Sequence, residues 1–119
     1  MKTLTEKEME LMEILWTNGG MTMRELYELL PEPRTHFNTI STFVRRLEEE
    51  GFVKHEALGG RLFKYSAAIS RWDYEKREQK SFLGRFFNGS RMDFVRHLVK
   101  EEEISKEELQ ELMELIHNS

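Results

Sequence analysis

The chain has 119 residues, no cysteine and a formal net charge of −4 at pH 7. This length fits one globular unit or two small subdomains, and the absence of thiols excludes disulfides and cysteine-ligated metal or redox sites. No apolar run reaches the roughly 20 residues of a membrane-spanning helix, and the N-terminus lacks a signal-peptide core, so we expect a cytoplasmic protein. The acidic total excludes nucleic-acid binding through a uniformly basic surface, but not through a local site.

Capping signals predict the starts of five helices. In each, a Ser or Thr is followed three residues later by an acidic residue: Thr5 with Glu8, Thr22 with Glu25, Ser70 with Asp73, Ser90 with Asp93, and Ser105 with Glu108. The first two helices are predicted over residues 6–17 and 23–30, and each is ended by a Gly or Pro pair. We expect their buried positions to be Met9, Met12, Leu15, Trp16, Met23, Leu26, Tyr27 and Leu30.

A third helix is predicted within residues 34–47, RTHFNTISTFVRRL, fourteen residues without an acidic side chain. Its apolar residues fall at i, i+3, i+4 and i+7, which predicts one buried stripe of Ile40, Phe43, Val44 and Leu47. The remaining face carries Asn, Arg and small hydroxyls, which suit adenine, guanine and phosphate in a DNA groove. We predict base contacts by Asn38, Ser41, Thr42 and Arg45. We predict backbone contacts by Arg34, Thr35, His36, Thr39 and Arg46. Taken alone, the segment also fits an amphipathic helix with a solvated polar face.

After Gly51 the pattern changes from helical to extended. Residues 52–57 and 61–66 predict two strands, and Leu58, Gly59 and Gly60 predict the hairpin turn between them. Three helices followed by a hairpin indicate a winged helix-turn-helix over residues 1–68, in which the hairpin is the wing. Arg61 and Lys64 on the hairpin are expected to contact the DNA backbone, although such cations can also merely keep a sheet edge soluble.

Residues 69–119 are predicted to add three short helices, which makes the protein mainly α. Helices this short rarely hide so much apolar surface by themselves, so we expect a dimerisation domain in which two copies share a core. The residues assigned to this core are Trp72, Phe82, Phe86, Phe87, Val95, Leu98, Val99, Leu109, Leu112, Met113 and Ile116. The alternative is that this part folds back on the winged helix within one chain.

The residue pattern gives no reason to expect an enzyme, a cofactor or a metal site. The four histidines are scattered, and the consecutive acids in residues 48–50 and 101–103 point in different directions on a helix. The competing function is a winged helix that binds a protein partner and no DNA. Such a module would need neither the acid-free stretch nor the cations on the wing.

Four segments of the chain together resemble the penicillinase-repressor family, which includes the BlaI and MecI repressors. They are LTEKEMELMEILW at residues 4–16, TISTFVRRLEEEGFV at 39–53, GRLFKYS at 60–66 and VKEEEISKEELQELMELI at 99–116. The resemblance implies a winged-helix DNA-binding domain followed by a helical dimerisation domain. It also implies a transcriptional repressor that acts as a homodimer on a palindromic operator.

The resemblance further implies control by a membrane-bound sensor with a zinc peptidase domain, leading to cleavage of the repressor within its dimerisation region. Alignment by eye places His97 and Leu98 at the cleavage position, where the best-studied members have Asn and Phe. Ser41 stands where the methicillin-resistance repressor has a longer basic residue, which predicts a different operator. Without cysteine, the chain lies outside the copper-responsive branch of the family.

Overall fold

Eight regular elements make up the part of the chain that the computed structural model describes, residues 2–119. Their order is α1 (Glu6–Asn18), α2 (Met23–Glu28), α3 (Phe37–Glu49), β1 (Val53–Gly59), β2 (Leu62–Ala67), α4 (Arg71–Phe86), α5 (Arg91–Lys100) and α6 (Lys106–His117). The predicted fold class is confirmed: three helices precede an antiparallel β1–β2 hairpin, and three helices follow it. No helix within residues 2–119 combines the length and apolar character needed to cross a membrane.

The chain divides into two compact units, and the boundary lies within α4. The first unit ends at Glu75 and the second is Lys76–Ser119. All the buried residues of the described chain belong to the first unit. The second unit is built from the rest of α4 together with α5 and α6, and neither α5 nor α6 has a buried residue.

The core of the first unit confirms the predicted helical stripes in large part. Met12, Leu15, Leu26 and Leu30 are buried, as are Ile40, Val44 and Leu47 of α3. The other predicted core positions are partly buried and pack against this cluster: Met9, Trp16, Met23, Tyr27 and Phe43. Phe52, directly before the hairpin, is fully buried. The core therefore fixes α3 by its apolar stripe and leaves its other side free.

The predicted capping residues start their helices as expected. Thr5, Thr22 and Ser105 form complete capping boxes with the Glu three residues later. Ser70 and Ser90 accept the amide hydrogen bond of the Asp three residues later. Asp is one methylene shorter than Glu, which makes the return bond harder to form. At the other end of α1, Gly19 adopts a φ of 80°.

The hairpin turn begins two residues later than predicted and ends one residue later. Gly59 pairs with Leu62, so Gly60 and Arg61 form the turn and Leu58 belongs to β1. The register shifts between Ala57 and Gly59, and this irregularity in β1 moves the turn. The wing is also joined to the segment before α2, because the Met21 amide donates to the Tyr65 carbonyl at 2.9 Å and the Tyr65 amide donates back at 2.8 Å.

The capping box of α1 predicts an acid-dependent loss of stability. Burial raises the pKa of Glu8, but hydrogen bonds from Thr5 and Lys2 outweigh it, so the pKa lies below its ordinary value. A lowered folded-state pKa gives stability that is present above the unfolded pKa and is lost as the pH falls through the folded value. Glu8→Gln keeps a capping side chain but removes the charge. We expect this variant to be less stable than wild type at pH 7 and to lose less stability on acidification.

Urea unfolding at pH 7 and at pH 4 measures this effect. The pKa of Glu25 and that of Glu108 are also lowered, by hydrogen bonds from the backbone and side chains of Thr22 and Ser105, so the variant should keep part of the acid dependence. Equal losses of unfolding free energy in wild type and Glu8→Gln would contradict this role of Glu8.

Candidate nucleic-acid interface

The exposed face of α3 carries the residues that the sequence assigned to DNA bases, with one exception. Asn38, Thr42 and Arg45 are exposed, as are Thr39 and Arg46 beside them. The Thr42 hydroxyl donates to the backbone carbonyl of Asn38 at 3.0 Å. The first acidic residue of the helix is Glu48, in its last turn. The face therefore offers an amide, two hydroxyls and two guanidinium groups, and no carboxylate belongs to its first three turns.

Ser41 is the exception, since it is only 6% exposed. It lies on the flank of α3 that faces a cleft bounded by α2, α3 and the wing. Ser41 therefore presents less surface to a ligand than Asn38, Thr42 and Arg45 do, and its predicted base contact stays a prediction.

The segment before α3 is fixed by side-chain hydrogen bonds. His36 is the N-cap residue, and its Nδ1 accepts a hydrogen bond from the Asn38 amide at 3.2 Å. The Thr35 carbonyl accepts a hydrogen bond from the Tyr27 hydroxyl at 2.9 Å. His36 and Thr35 are therefore held at the start of the helix whose polar face they precede.

Arg34 is already engaged within the chain. Its guanidinium pairs with Glu32 at 2.6 Å and lies 5.4 Å from the ring centre of Tyr27. The hydrogen bond from Arg34 to Glu32 raises the pKa of Arg34. Because Glu32 partly neutralises it, Arg34 contributes less positive potential than the sequence suggested.

The two cations on the wing, Arg61 and Lys64, differ in whether they are already paired with a carboxylate of the chain. Lys64 pairs with Glu56 at 3.1 Å across the hairpin. Arg61 is exposed in the turn and, among the described residues, has no carboxylate within ion-pair distance. Arg61 is therefore the wing cation that is available to an external phosphate.

A cleft of about 520 Å³ separates α3 from the wing. Its lining includes three arginines, one each from α2, α3 and the turn: Arg24, Arg45 and Arg61. Glu48 is the acidic residue of the lining, and its carboxylate pairs with Nδ1 of His55 on β1. Cations therefore outnumber carboxylates in this cleft.

Sequence reasoning missed Arg24, Glu48 and His55 as parts of this surface. Arg24 follows the N-cap Thr22 and had no sequence signal beyond its charge. Its place in the cleft follows from the pairing of Met21 with Tyr65, which brings the start of α2 to the wing. Within residues 2–119, no group of three or more His, Asp or Glu side chains is arranged to hold a metal ion.

The second unit brings together part of the predicted dimerisation set. Phe82 lies 5.2 Å from Phe86, 5.9 Å from Phe87 and 5.5 Å from Phe94, measured between ring centres. On α6, Met113 is 63% and Ile116 is 77% exposed. The remaining predicted residues of this unit are half-buried or exposed: Val95, Leu98, Val99, Leu109 and Leu112. Trp72 lies in the first unit and is 70% exposed.

The residues aligned with the family's cleavage position lie inside a helix. His97 and Leu98 belong to α5, with His97 exposed and Leu98 half-buried. The His97 ring lies 5.7 Å from that of Phe87. A protease would need α5 to open locally before it could reach the bond between them.

Sequence comparison finds relatives over nearly the whole chain. A profile of the penicillinase repressor family matches residues 4–118. The penicillinase repressor of Bacillus licheniformis is 30% identical over 114 residues, which cover 95% of this chain and 88% of that protein. The methicillin resistance regulatory protein MecI of Mammaliicoccus sciuri is 24% identical over 115 residues, covering 96% of this chain and 93% of that protein.

Structural comparison finds a solved DNA-binding domain of the same kind. The solution structure of the DNA-binding domain of the repressor BlaI aligns with a TM-score of 0.53 and 28% sequence identity. The alignment covers 62% of this chain and 94% of that domain.

Proposed function

The chain belongs to the penicillinase repressor family of DNA-binding transcriptional repressors, which are not enzymes, and on that premise we propose that it represses as a homodimer on a palindromic operator. The exposed face of α3 carries this proposal. Its first three turns are free of carboxylates although the whole chain has a net charge of −4. We also propose a cytoplasmic location, where a DNA-binding repressor has access to its operator.

Within that face, we assign base reading to Asn38, Thr42 and Arg45. Asn pairs with adenine through two hydrogen bonds, Arg pairs in the same way with guanine, and Thr offers both a hydroxyl and a methyl group. Backbone contacts are assigned to Thr35, His36, Thr39, Arg46 and Arg61. Arg34 and Lys64 are weaker candidates because each is already paired with a glutamate. Ser41 is left out because of its burial.

The exposed apolar surface of the second unit supports the homodimer. None of its described residues is buried, yet α6 alone exposes Leu112, Met113, Leu115 and Ile116. Isolated helices with such faces gain stability by burying them, and a second copy offers an equal apolar face. Two copies would present their α3 helices to successive major-groove faces about one helical turn apart or a multiple of it, which requires an inverted repeat.

Relief of repression is proposed to follow cleavage between His97 and Leu98, downstream of a membrane-bound sensor metallopeptidase. The support is the family resemblance and the place of the bond in α5, a helix of the unit proposed to form the dimer. A cut there would separate α6 from the rest of the chain. The mass of the repressor isolated from induced cells tests this step, since only full-length chain would contradict it.

The proposed division of labour on α3 is tested by three alanine variants. Arg46→Ala should weaken binding to operator and random duplexes alike and reduce the slope of log affinity against log salt by about 1 per subunit, because one phosphate contact is lost. Asn38→Ala and Thr42→Ala should each weaken operator binding by about tenfold and leave random-duplex binding nearly unchanged.

Fluorescence anisotropy on both duplexes measures these effects. Lys7→Ala is a matched control for Arg46→Ala, because Lys7 lies on α1 and pairs with Glu10. It should bind both duplexes as wild type does. Equal losses on both duplexes for all three α3 variants would contradict the assignment of base and backbone roles. The competing function considered from the sequence was a winged helix that binds only protein. Membership of a DNA-binding family does not favour it.

A further inference from the structure

We propose that Arg24 is a DNA phosphate contact, and that one sugar-phosphate strand lies in the cleft bounded by α2, α3 and the wing. This inference rests on the proposed function and adds a residue and a path to it. It rests on one observation: guanidinium groups from three separate elements line one cleft.

The cleft collects positive charge from parts of the chain that are distant in sequence. Arg24 comes from the first turn of α2, Arg45 from α3 and Arg61 from the hairpin turn. A concave surface lined by one sign of charge concentrates its potential on whatever enters it. A planar guanidinium matches two oxygens of a phosphate, so Arg24 and Arg61 suit the phosphates of one strand in this groove, while Arg45 of α3 is left to read a base.

Arg24 lies over an aromatic ring that is itself packed against a second ring. Its guanidinium carbon lies 4.7 Å from the ring centre of Phe37, the first residue of α3. The Phe37 ring makes an edge contact with Tyr27, 5.2 Å between centres, and the Tyr27 hydroxyl is fixed by the Thr35 carbonyl. A guanidinium stacked on a ring keeps its N–H edge free for another acceptor. Ordering Arg24 before binding reduces the entropy lost on contact.

The charges around Arg24 favour an external anion. Among the described residues, no carboxylate lies within ion-pair distance of Arg24, whereas Arg34 and Lys64 are both paired. Glu48, which would repel a phosphate in the same cleft, pairs with His55 of β1. The His55 ring in turn contacts Phe63 and Tyr65 of β2, 5.1 and 5.6 Å between centres. The carboxylate is thus tied to the wing, and the arginines are left to act on the ligand.

Two variants of Arg24 test the phosphate contact. Arg24→Met keeps most of the side-chain length and removes the charge, and Arg24→Lys keeps the charge. We expect Arg24→Met to weaken operator and random-duplex binding by about tenfold and to lower the salt slope by about 1 per subunit. Arg24→Lys should retain the wild-type salt slope. Melting temperatures of all variants establish that each is folded.

Arg71→Met is the matched control. Arg71 also lies over an aromatic ring, Trp16 at 5.5 Å, but it pairs with Glu13 of α1 and is not among the residues that line the cleft. It should bind duplexes with the wild-type affinity and salt slope. A folded Arg24→Met with the wild-type affinity and slope would overturn the inference, and so would an Arg71→Met whose loss equals that of Arg24→Met.

The cleft could also attract a free phosphate compound, and a second arm separates the two sources. Pyrophosphate binding is measured calorimetrically at constant ionic strength. Tight pyrophosphate binding that is lost in Arg24→Met, together with unchanged duplex affinity in that variant, would overturn the inference. A wild type that binds no duplex at all would instead refute the proposed function, so the two failures are distinguishable.

Discussion

Met113→Glu is expected to split the homodimer and to weaken operator binding by about 100-fold or more. Met113 lies on α6 and is 63% exposed in the single chain, where a glutamate would be harmless. In the proposed dimer the same position is buried, and an uncompensated buried charge costs on the order of 3–5 kcal/mol. Each dimer would carry this cost twice. One winged helix alone makes half of the DNA contacts, so operator affinity is expected to fall when the dimer dissociates.

Gln110→Glu is the control for Met113→Glu. It introduces the same charge change on the same helix, at an exposed position outside the apolar face. Sedimentation equilibrium at micromolar concentration should show dimers for wild type and Gln110→Glu and monomers for Met113→Glu. A monomeric wild type, or a dimeric Met113→Glu with full operator affinity, would contradict a dimer built on α6.

Thr42→Glu is expected to remove DNA binding without unfolding the protein. Thr42 lies in the acid-free face of α3 and is exposed. A carboxylate there would face phosphates and could also pair with Arg46, four residues later, which would neutralise a proposed backbone contact. Juxtaposed like charges cost several kcal/mol, so we expect affinity to fall by about 100-fold. Glu has a higher helix propensity than Thr, so α3 itself should be no less stable.

The neutral variant Thr42→Gln separates charge from shape. It has nearly the size of Thr42→Glu, and we expect it to change operator preference while keeping binding to random duplexes. Thermal unfolding should give similar melting temperatures for the two variants. If both lose random-duplex binding to the same extent, the loss is steric, and repulsion by the introduced carboxylate is not its cause.

The sequence alone predicted the helices of the first unit and the exposure of Asn38, Thr42 and Arg45. Both follow from local patterns, because residues that repeat every three or four positions must lie on one side of a helix. Ser41 shows where this reasoning ends. It lies at the edge between the apolar stripe and the polar face, where the helical pattern does not decide burial, and the structure shows it buried beside the cleft between α3 and the wing.

The electrostatics of the interface could not be predicted because they depend on register. The sequence placed the turn at Leu58 to Gly60, which would set Glu56 opposite Leu62. The irregularity near Leu58 shifts the pairing, so Glu56 lies opposite Lys64 and neutralises it. Arg24 reaches the cleft through the pairing of Met21 with Tyr65, which joins residues far apart in the sequence. Neither contact can be recognised from a local pattern in the sequence.

The salt dependence of DNA binding tests the central claim most directly, namely that the carboxylate-free face of α3 docks on a duplex. Fluorescence anisotropy would use DNA from upstream of the protein's own coding sequence, a random duplex of equal length and two salt concentrations. We expect the wild type to prefer the upstream DNA and to lose affinity steeply as salt rises. We expect Thr42→Glu to have lost almost all affinity for both duplexes. Wild-type affinity that does not change with salt, or that Thr42→Glu retains, would contradict the claim.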